Sequence, residues 1–194
     1  VEYLERLPAP QPSDCLLHDD WVSALHARDK WILTGCYDNT LHLWTVKGKH
    51  KLTIPGHTAP VKAVAWVNVT DTLASFVSAS HDQTAMLWEW SVAANAVEYL
   101  ERLPAPQPSD CLLHDDWVSA LHARDKWILT GCYDNTLHLW TVKGKHKLTI
   151  PGHTAPVKAV AWVNVTDTLA SFVSASHDQT AMLWEWSVAA NAVE

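Results

Sequence analysis

The sequence is one 96-residue unit written twice. Residues 1–96 recur letter for letter as residues 97–192, and Val193-Glu194 begin a further copy. Self-similarity at a fixed period is typical of arrays in which each unit packs against its neighbours, such as solenoids and propellers. Because natural tandem repeats accumulate differences, identity at every paired position also leads us to expect an engineered or very recently duplicated gene.

Each unit contains two sets of short apolar segments separated by turn residues. The first set is WVSALH, KWILTG, TLHLW and HKLTI, and the second is VKAVAWV, ASFVSA, TAMLWEW and VEYLERL. Segments of this length without helical periodicity predict antiparallel strands and exclude an α/β fold. One four-stranded set is also close in length to a propeller blade of roughly 40–45 residues. We therefore predict an all-β propeller with four blades per chain.

The predicted domains follow from these sets. Each unit should hold two blades, and the strand that completes its second blade should come from the start of the next unit. The predicted ranges are a first unit at 1–96, with a closing strand at 1–7 and blades at 18–54 and 57–103, and an identical unit at 97–192, with its last blade at 153–187.

The N-terminal segment is predicted to complete a terminal blade, because an unpaired sheet edge invites strand pairing. Its apolar residues are Val1, Tyr3, Leu4 and Leu7. Four blades that close on themselves need about 90° between neighbours, whereas two chains joined head to tail give about eight blades, within the range of known propellers. We predict a homodimer that forms one eight-bladed ring, with a closed four-bladed monomer as the alternative.

Both sets share a polar pattern. In each, a hydroxyl residue precedes an Asp by four positions, a Trp follows that Asp by six, and a His comes before the set. These side chains can satisfy one another's hydrogen bonds, and a buried polar network is stable when every member has a partner. The pattern therefore predicts one structural tetrad per blade. The tetrads are His18, Thr34, Asp38 and Trp44; His57, Ser78, Asp82 and Trp88; His114, Thr130, Asp134 and Trp140; and His153, Ser174, Asp178 and Trp184.

Two other interpretations of these residues are catalysis and metal binding. A nucleophilic triad needs an exposed hydroxyl beside an oxyanion site, but Ser78 lies in an apolar segment and Thr34 replaces it in the other set. We therefore predict no enzyme, no catalytic residue and no cofactor. The 12 His form no H-x-x-x-H or H-E-x-x-H pair, so no metal site is predicted.

Composition limits the classes of partner. The chain has 14 Lys and Arg against 21 Asp and Glu, whereas nucleic-acid-binding domains usually carry a basic patch. Its apolar runs fall far short of the roughly 18 residues of a membrane span, and VEYLERLPAP has no apolar signal core. We expect neither a nucleic-acid nor a membrane partner. Cys15, Cys36 and their copies form no C-x-x-C pair, and we expect structural thiols.

The segments GHTAPVKAVAW, SASHDQTAMLWEW and WILTGCYDNTLHLW resemble WD repeats, specifically two blades of a ribosome-biogenesis WD-repeat family. The resemblance covers the whole unit and departs from the pattern at Leu17, where Gly is usual, and at Thr45 and Glu89, which replace the Asp of the Trp-Asp signature. It implies a nucleolar protein with a ubiquitin-like domain before a seven-bladed propeller. It also implies a role in maturation of the large ribosomal subunit, together with pescadillo and block-of-proliferation proteins.

The function predicted from the sequence rests on the perfect duplication. We expect a non-enzymatic, engineered symmetric scaffold that self-assembles by strand closure and has no natural protein partner, and its localisation stays unknown. The alternative is a protein-interaction module that retains binding to ribosome-biogenesis partners.

Overall fold

In the computed structural model, the described residues are 18–103 and 116–193. They form four antiparallel sheets, each of four strands in chain order. Within these two ranges no helix has the length and apolarity needed to cross a membrane. The predicted all-β class with four-stranded sets is confirmed, and the predicted strands that fall within the described residues are present with ends shifted by at most two residues.

The strands of the first unit form the first two sheets. The first sheet consists of β1 (Val22–Arg28), β2 (Trp31–Cys36), β3 (Leu41–Thr45) and β4 (His50–Ile54). The second consists of β5 (Val61–Val69), β6 (Leu73–Ser80), β7 (Ala85–Ser91) and β8 (Ala96–Leu103).

The strands of the second unit form the other two sheets. The third sheet consists of β9 (Val118–Arg124), β10 (Trp127–Cys132), β11 (Leu137–Thr141) and β12 (His146–Ile150). The fourth consists of β13 (Val157–Val165), β14 (Leu169–Ser176), β15 (Ala181–Ser187) and β16 (Ala192–Val193).

The turn between the second and third strands of each sheet is built from Asp, Asn or Gln, and Thr. Asn39 has a φ of 73° and Gln83 a φ of 66°, in the left-handed region that is most unfavourable for β-branched residues and that asparagine tolerates well. The carboxylate of Asp38 accepts a hydrogen bond from the Thr40 N–H at 2.9 Å, as in an Asx turn. These turns carry the tetrad carboxylates at one end of every sheet.

Apolar side chains fill the space between neighbouring sheets. Phe76, which is 0% exposed, lies in the cluster that the first two sheets share. Gly35 is required there, since a Cβ at this position would lie 2.5 Å from the Val61 Cγ1. The first strands of successive sheets, β1, β5, β9 and β13, contact one another in turn, so the sheets are arranged side by side around one axis.

The fourth sheet has an incomplete edge. Its last strand, β16, pairs only with Trp186 and Ser187, whereas β8 pairs along the whole of β7. The predicted closing-strand residues Val1, Tyr3, Leu4 and Leu7 lie outside the described residues. Closure by this strand, and a two-chain ring, therefore stay predictions.

Candidate functional site

The second sheet holds a fully hydrogen-bonded tetrad. The His57 ring bonds through Nδ1 to the Asp82 carboxylate at 2.8 Å and through Nε2 to the Ser78 hydroxyl at 2.7 Å. The indole N–H of Trp88 donates to the same hydroxyl at 2.8 Å. Asp82 also accepts from the backbone N–H of Thr58 at 3.0 Å. The tetrad thus joins the loop that enters the sheet to β6, β7 and the turn between them.

The first sheet uses the corresponding residues differently. His18 Nε2 bonds to the Thr34 hydroxyl at 2.8 Å, and the Trp44 indole N–H donates to it at 3.1 Å. Asp38 accepts from the Thr40 hydroxyl at 2.7 Å, and that hydroxyl also bonds to His42 Nε2 at 2.9 Å. The carboxylate of this sheet is therefore held within its own turn.

The described residues of the second unit repeat these hydrogen bonds. The Trp140 indole donates to Thr130 at 3.1 Å, and Asp134 accepts from the Thr136 hydroxyl at 2.6 Å. His114 lies outside the described residues. In the fourth sheet the tetrad again has three bonds, from His153 to Asp178 at 2.7 Å, from His153 to Ser174 at 2.7 Å and from Trp184 to Ser174 at 2.8 Å.

One shared residue was missed by the sequence reasoning. A Thr two positions after the Asp donates its hydroxyl to the carboxylate in each sheet, as Thr40 does to Asp38 and Thr84 does to Asp82 at 2.5 Å. The signal was present, since both sets contain Asp-x-Thr. The structural role of all these residues remains our proposal.

The tetrad carboxylates of the second and fourth sheets are stabilised in their charged form. Burial alone would raise the pKa of Asp82, but the hydrogen bonds from His57 and Thr84 and the His57 charge outweigh it and lower the pKa to about 2. The pKa of Asp178 is also lowered, by its hydrogen bonds from Thr180, Thr154 and His153 against the effect of burial. Both groups therefore stay ionised well below neutral pH.

Lowering the pH is expected to destabilise the protein through Asp82. Its pKa is about 2 in the folded state against an ordinary value of 3.8. Because the pKa of Asp82 is lower in the folded state, its stabilisation of the fold is complete when the pH is above the ordinary pKa. This stabilisation is lost as the pH falls toward the folded-state pKa. We expect about 2 kcal/mol of the free energy of unfolding to disappear between about pH 4 and pH 2 through this group. Urea unfolding across that range measures it.

The control for this prediction is Asp82→Asn, which cannot ionise. Its unfolding free energy should depend less steeply on pH than that of the wild type in the same window. An unchanged slope would show that another group is responsible.

The geometry of the tetrads argues against catalysis. The Ser78 side chain is 0% exposed, and its hydroxyl already bonds to both His57 and Trp88. A nucleophile must reach its substrate, which this hydroxyl cannot do. Burial likewise raises the pKa of the Cys36 thiol to about 12, with Asp38 and Asp20 adding to the effect, so this thiol is protonated at neutral pH and a poor nucleophile.

A partly exposed row of side chains, three of them aromatic, crosses the tetrad end of the last three sheets. The His81 ring stacks on Trp117 with centroids 4.1 Å apart, and Trp117 packs edge-on against Tyr133 at 5.3 Å. The Lys158 ammonium donates to the Tyr133 hydroxyl at 2.7 Å and lies 4.4 Å from its ring centroid. We call these four residues the aromatic row. Trp117 is 42% exposed, so the row presents apolar surface to solvent.

The sequence could not separate this tryptophan from the buried ones. Trp66 and Trp90 are each 1% exposed, whereas Trp21, the copy of Trp117 in the first unit, is 74% exposed. Trp117 contacts the preceding sheet through His81, with ring centroids 4.1 Å apart, but neither Trp21 nor Trp117 is a core residue.

A family model described as "WD domain, G-beta repeat" matches this chain four times. The matched residues are 12–45, 48–89, 108–141 and 144–185. The four matches agree with the four sheets, one match to each.

Curated relatives align with nearly the whole chain. The ribosome biogenesis protein WDR12 homolog of Drosophila virilis is 46% identical over 204 residues, which cover 95% of this chain and 46% of the relative. The homolog of Culex quinquefasciatus is 44% identical, with 95% and 47% covered. The chain therefore spans about half the length of the curated relatives it matches.

Solved structures match the fold at low sequence identity. The WD40 β-propeller domain of Doa1 has a TM-score of 0.66 at 21% identity, over 89% of this chain and 52% of that one. The computationally designed Ika4 protein has a TM-score of 0.63 at 22% identity, over 86% and 92%. These likenesses confirm the predicted propeller fold and carry no functional information.

The relatives overturn part of the function predicted from the sequence. An engineered, self-assembling scaffold is the wrong expectation, because natural proteins from several insects align over 95–97% of the chain at 44–46% identity. The expectation that natural protein partners are absent is wrong for the same reason. An exact duplication carries no information about the origin or the partners of the duplicated unit.

Proposed function

The chain belongs to the WD40-repeat family, and we propose that it is a non-enzymatic protein-interaction module acting in ribosome biogenesis. The observation that carries the proposal is the alignment of 95% of the chain, at 46% identity, with a relative named as a ribosome biogenesis protein. Action in the nucleolus, which the family resemblance implies, is part of the proposal. The module supplies a rigid surface and no chemistry of its own.

The aromatic row is the surface we propose for partner binding. Trp and Tyr are enriched among the residues that contribute most to binding energy, because they bury a large area and lose little conformational freedom. Trp117 is held on one side by His81 and on the other by Tyr133, at 4.1 and 5.3 Å between ring centroids. Its backbone N–H is fixed by the Asp116 carboxylate at 2.8 Å. A side chain that is already ordered pays little entropy on binding.

The position of the row also supports this role. His81 lies in the turn after β6, Trp117 directly before β9, and Tyr133 in the turn after β10. Binding residues are often carried on loops that a rigid scaffold holds in place. The scaffold here is the set of tetrads at the same end of the sheets.

Replacing Trp117 by alanine is expected to weaken partner binding about tenfold, which is at the lower end of the effect of an aromatic anchor. The tagged chain would be expressed in insect cells, and the fraction that cosediments with ribosome precursors measured on sucrose gradients. We expect the wild-type chain to cosediment with these particles and Trp117→Ala to shift to the free fractions.

The matched control is Val46→Ala. Val46 is also exposed, at 54%, but it lies after β3, at the opposite end of the sheet from the turns that carry the row. This variant should cosediment like the wild type. A wild-type chain that stays free would contradict the role in ribosome biogenesis, whereas equal behaviour of both variants would contradict the binding surface alone.

A further inference from the structure

The charged residues are distributed unevenly between the two ends of the sheets. Among the residues of the first unit that the structure describes, Lys62 lies at the tetrad end, where its ammonium donates to the Tyr37 hydroxyl at 2.8 Å. The other basic residues lie at the opposite end and are Arg28, Lys30, Lys47, Lys49 and Lys51. The acidic residues at that opposite end are Asp29, Asp71 and Glu89. Those at the tetrad end are Asp19, Asp20, Asp38 and Asp82. Although the chain has a net charge of −7, the described part of the unit therefore has one positively charged end.

Four of these lysines form one cluster at the first sheet. A single hollow of about 350 Å³ is lined by Lys30, Lys47, Lys49 and Lys51. The Nζ atoms of Lys30 and Lys51 lie 5.7 and 6.0 Å from the centroid of the Trp31 ring. Lys47 and Lys49 are exposed in the hairpin between β3 and β4. The four ammonium groups are thus presented together to solvent.

The third sheet carries a copy of this cluster. The copied residues are Lys126, Lys143, Lys145 and Lys147. The Nζ atoms of Lys126 and Lys147 lie 5.8 and 6.0 Å from the centroid of the Trp127 ring, as in the first sheet. We call the two groups the lysine clusters. We propose that the lysine clusters bind the phosphate groups of RNA. The choice of RNA rests on the proposed function, since ribosome precursors contain RNA.

The second sheet shows that the fold does not need these lysines. The backbone N–H of Val46 donates to the Lys30 carbonyl at 3.0 Å, and that of Val92 donates to the Thr72 carbonyl at 3.0 Å. The two hairpins therefore hold corresponding positions. The hairpin of the second sheet, residues 91–96, reads SVAANA and contains no lysine. The lysines are additions to the first and third sheets, beyond what the hairpin requires.

Most of the lysine charge is available to a ligand. Among the described residues, Lys30 is paired with Asp71 at 3.3 Å, whereas no carboxylate lies within 4.0 Å of Lys47, Lys49 or Lys51. The Lys30 pair is itself exposed, and exposed pairs of this kind contribute little to stability. An anion placed between these like charges would relieve their mutual repulsion.

The residue type favours a nucleic acid over a protein as the occupant. Protein–protein interfaces are depleted of lysine, whereas interfaces with nucleic acids are strongly positive. Lysine meets phosphate as a point charge, without the planar geometry that arginine imposes. Such binding is weak at physiological salt, with a dissociation constant of about 10⁻⁴–10⁻⁶ M, so it adds to the contact of the aromatic row at the other end. Val46→Ala removes no charge and stays the control for that row.

Fluorescence anisotropy of a labelled uridine homopolymer tests the proposal with the untagged full chain. We expect the association constant to fall as salt is raised, with a slope of about −2 to −3 on logarithmic axes, because three or four ammonium groups of one cluster each contribute about 0.7. Absence of binding at about 50 mM salt, or an affinity that does not depend on salt, would overturn the proposal.

Neutralising both clusters should weaken this binding. The combination Lys47→Gln, Lys49→Gln, Lys143→Gln and Lys145→Gln changes exposed hairpin residues, so it should fold, as checked by far-ultraviolet circular dichroism. We expect it to lose at least about tenfold in RNA affinity at low salt and to show a shallower salt dependence. Wild-type affinity in this variant would show that RNA binds elsewhere.

Removing carboxylates separates the position of a charge from the net charge. Asp71→Asn with Asp167→Asn releases Lys30 and its copy from their ion pairs, and we expect about threefold tighter RNA binding. The control, Asp19→Asn with Asp20→Asn, removes the same charge at the tetrad end. A strand of seven residues separates the two ends by about 23 Å, well beyond the roughly 10 Å over which salt screens a charge. The control should bind RNA like the wild type, and an equal gain in both variants would contradict the clusters.

Competition with unlabelled poly-glutamate distinguishes RNA from an acidic protein segment. We expect unlabelled RNA to displace the label at a much lower concentration than poly-glutamate of equal total charge, because cations condensed on RNA are released when lysines bind. Equal displacement would assign the clusters to an acidic protein and overturn the choice of RNA. The assay contains no ribosome precursors. A chain that cosediments with them but does not bind RNA would therefore contradict the lysine clusters alone, and the reverse would contradict the proposed function alone.

Discussion

Replacing Phe76 by alanine is expected to lower the free energy of unfolding by about 3–5 kcal/mol. Phe76 is 0% exposed and lies between the first two sheets. Its ring packs edge-on against Trp66 at 5.3 Å and stacks on the tetrad residue Trp88 at 6.2 Å between centroids. The substitution would leave a cavity bounded by two rigid indoles, and such a site relaxes poorly. Equilibrium unfolding in urea measures the loss.

The duplicated chain offers a matched control for this substitution. Phe172 occupies the same position in the fourth sheet and is also 0% exposed, with Trp162 and Trp184 at 5.2 and 6.2 Å. Trp184 is only half-buried there, so the site can collapse more easily. Phe172→Ala should therefore cost less than Phe76→Ala. A loss at Phe76 no greater than at Phe172 would contradict the argument from packing.

Replacing Asp82 by alanine is expected to cost about 2–4 kcal/mol, because it leaves more than one buried polar group without its partner. The Asp82 side chain is 4% exposed and accepts from the His57 ring, from the Thr58 N–H and from Thr84. The His57 side chain is itself 0% exposed. Without the carboxylate, the loop that enters the second sheet loses its connection to the turn.

Asp38→Ala is the comparison for this second prediction. The Asp38 side chain is 25% exposed, and the hydrogen bonds it accepts come from Thr40 within its own turn. Water can partly replace those bonds, so we expect a cost of about 1 kcal/mol. Urea unfolding of both variants at neutral pH gives the difference. Equal losses would mean that the two carboxylates contribute equally to the free energy of unfolding.

Much of the fold could be predicted because it depends on local pattern. Turn residues and short apolar segments placed strands β1 to β15 to within one or two positions, whereas β16 was not predicted as a strand. The tetrad side chains of the second sheet could also be identified, since the spacing of Ser78, Asp82 and Trp88 is set by the register of two paired strands. A shift of one residue would turn each side chain to the other face.

The different use of the two carboxylates could not be predicted. Both sets contain Asp-x-Thr at the same spacing, yet Asp82 bonds to His57 and Asp38 is held by Thr40. The difference depends on where the entering loop places its histidine and on the second imidazole of His42. Neither the position of that histidine nor the contacts of His42 can be predicted from residue spacing, because both depend on contacts between distant segments.

The sequence by itself determined the strands, their grouping into four sets and the residue types available at each turn, because all of these follow from local pattern and repeat. It could not determine how copies of one residue would differ. Leu87 is buried, at 4% exposed, between the second and third sheets, whereas its copy Leu183 is 72% exposed at the edge of the fourth. Likewise, Trp117 stacks on His81 of the preceding sheet, while Trp21 is 74% exposed. Identical residues acquire different environments because burial is set by the neighbouring sheet, and only the tertiary structure shows which neighbour each residue has.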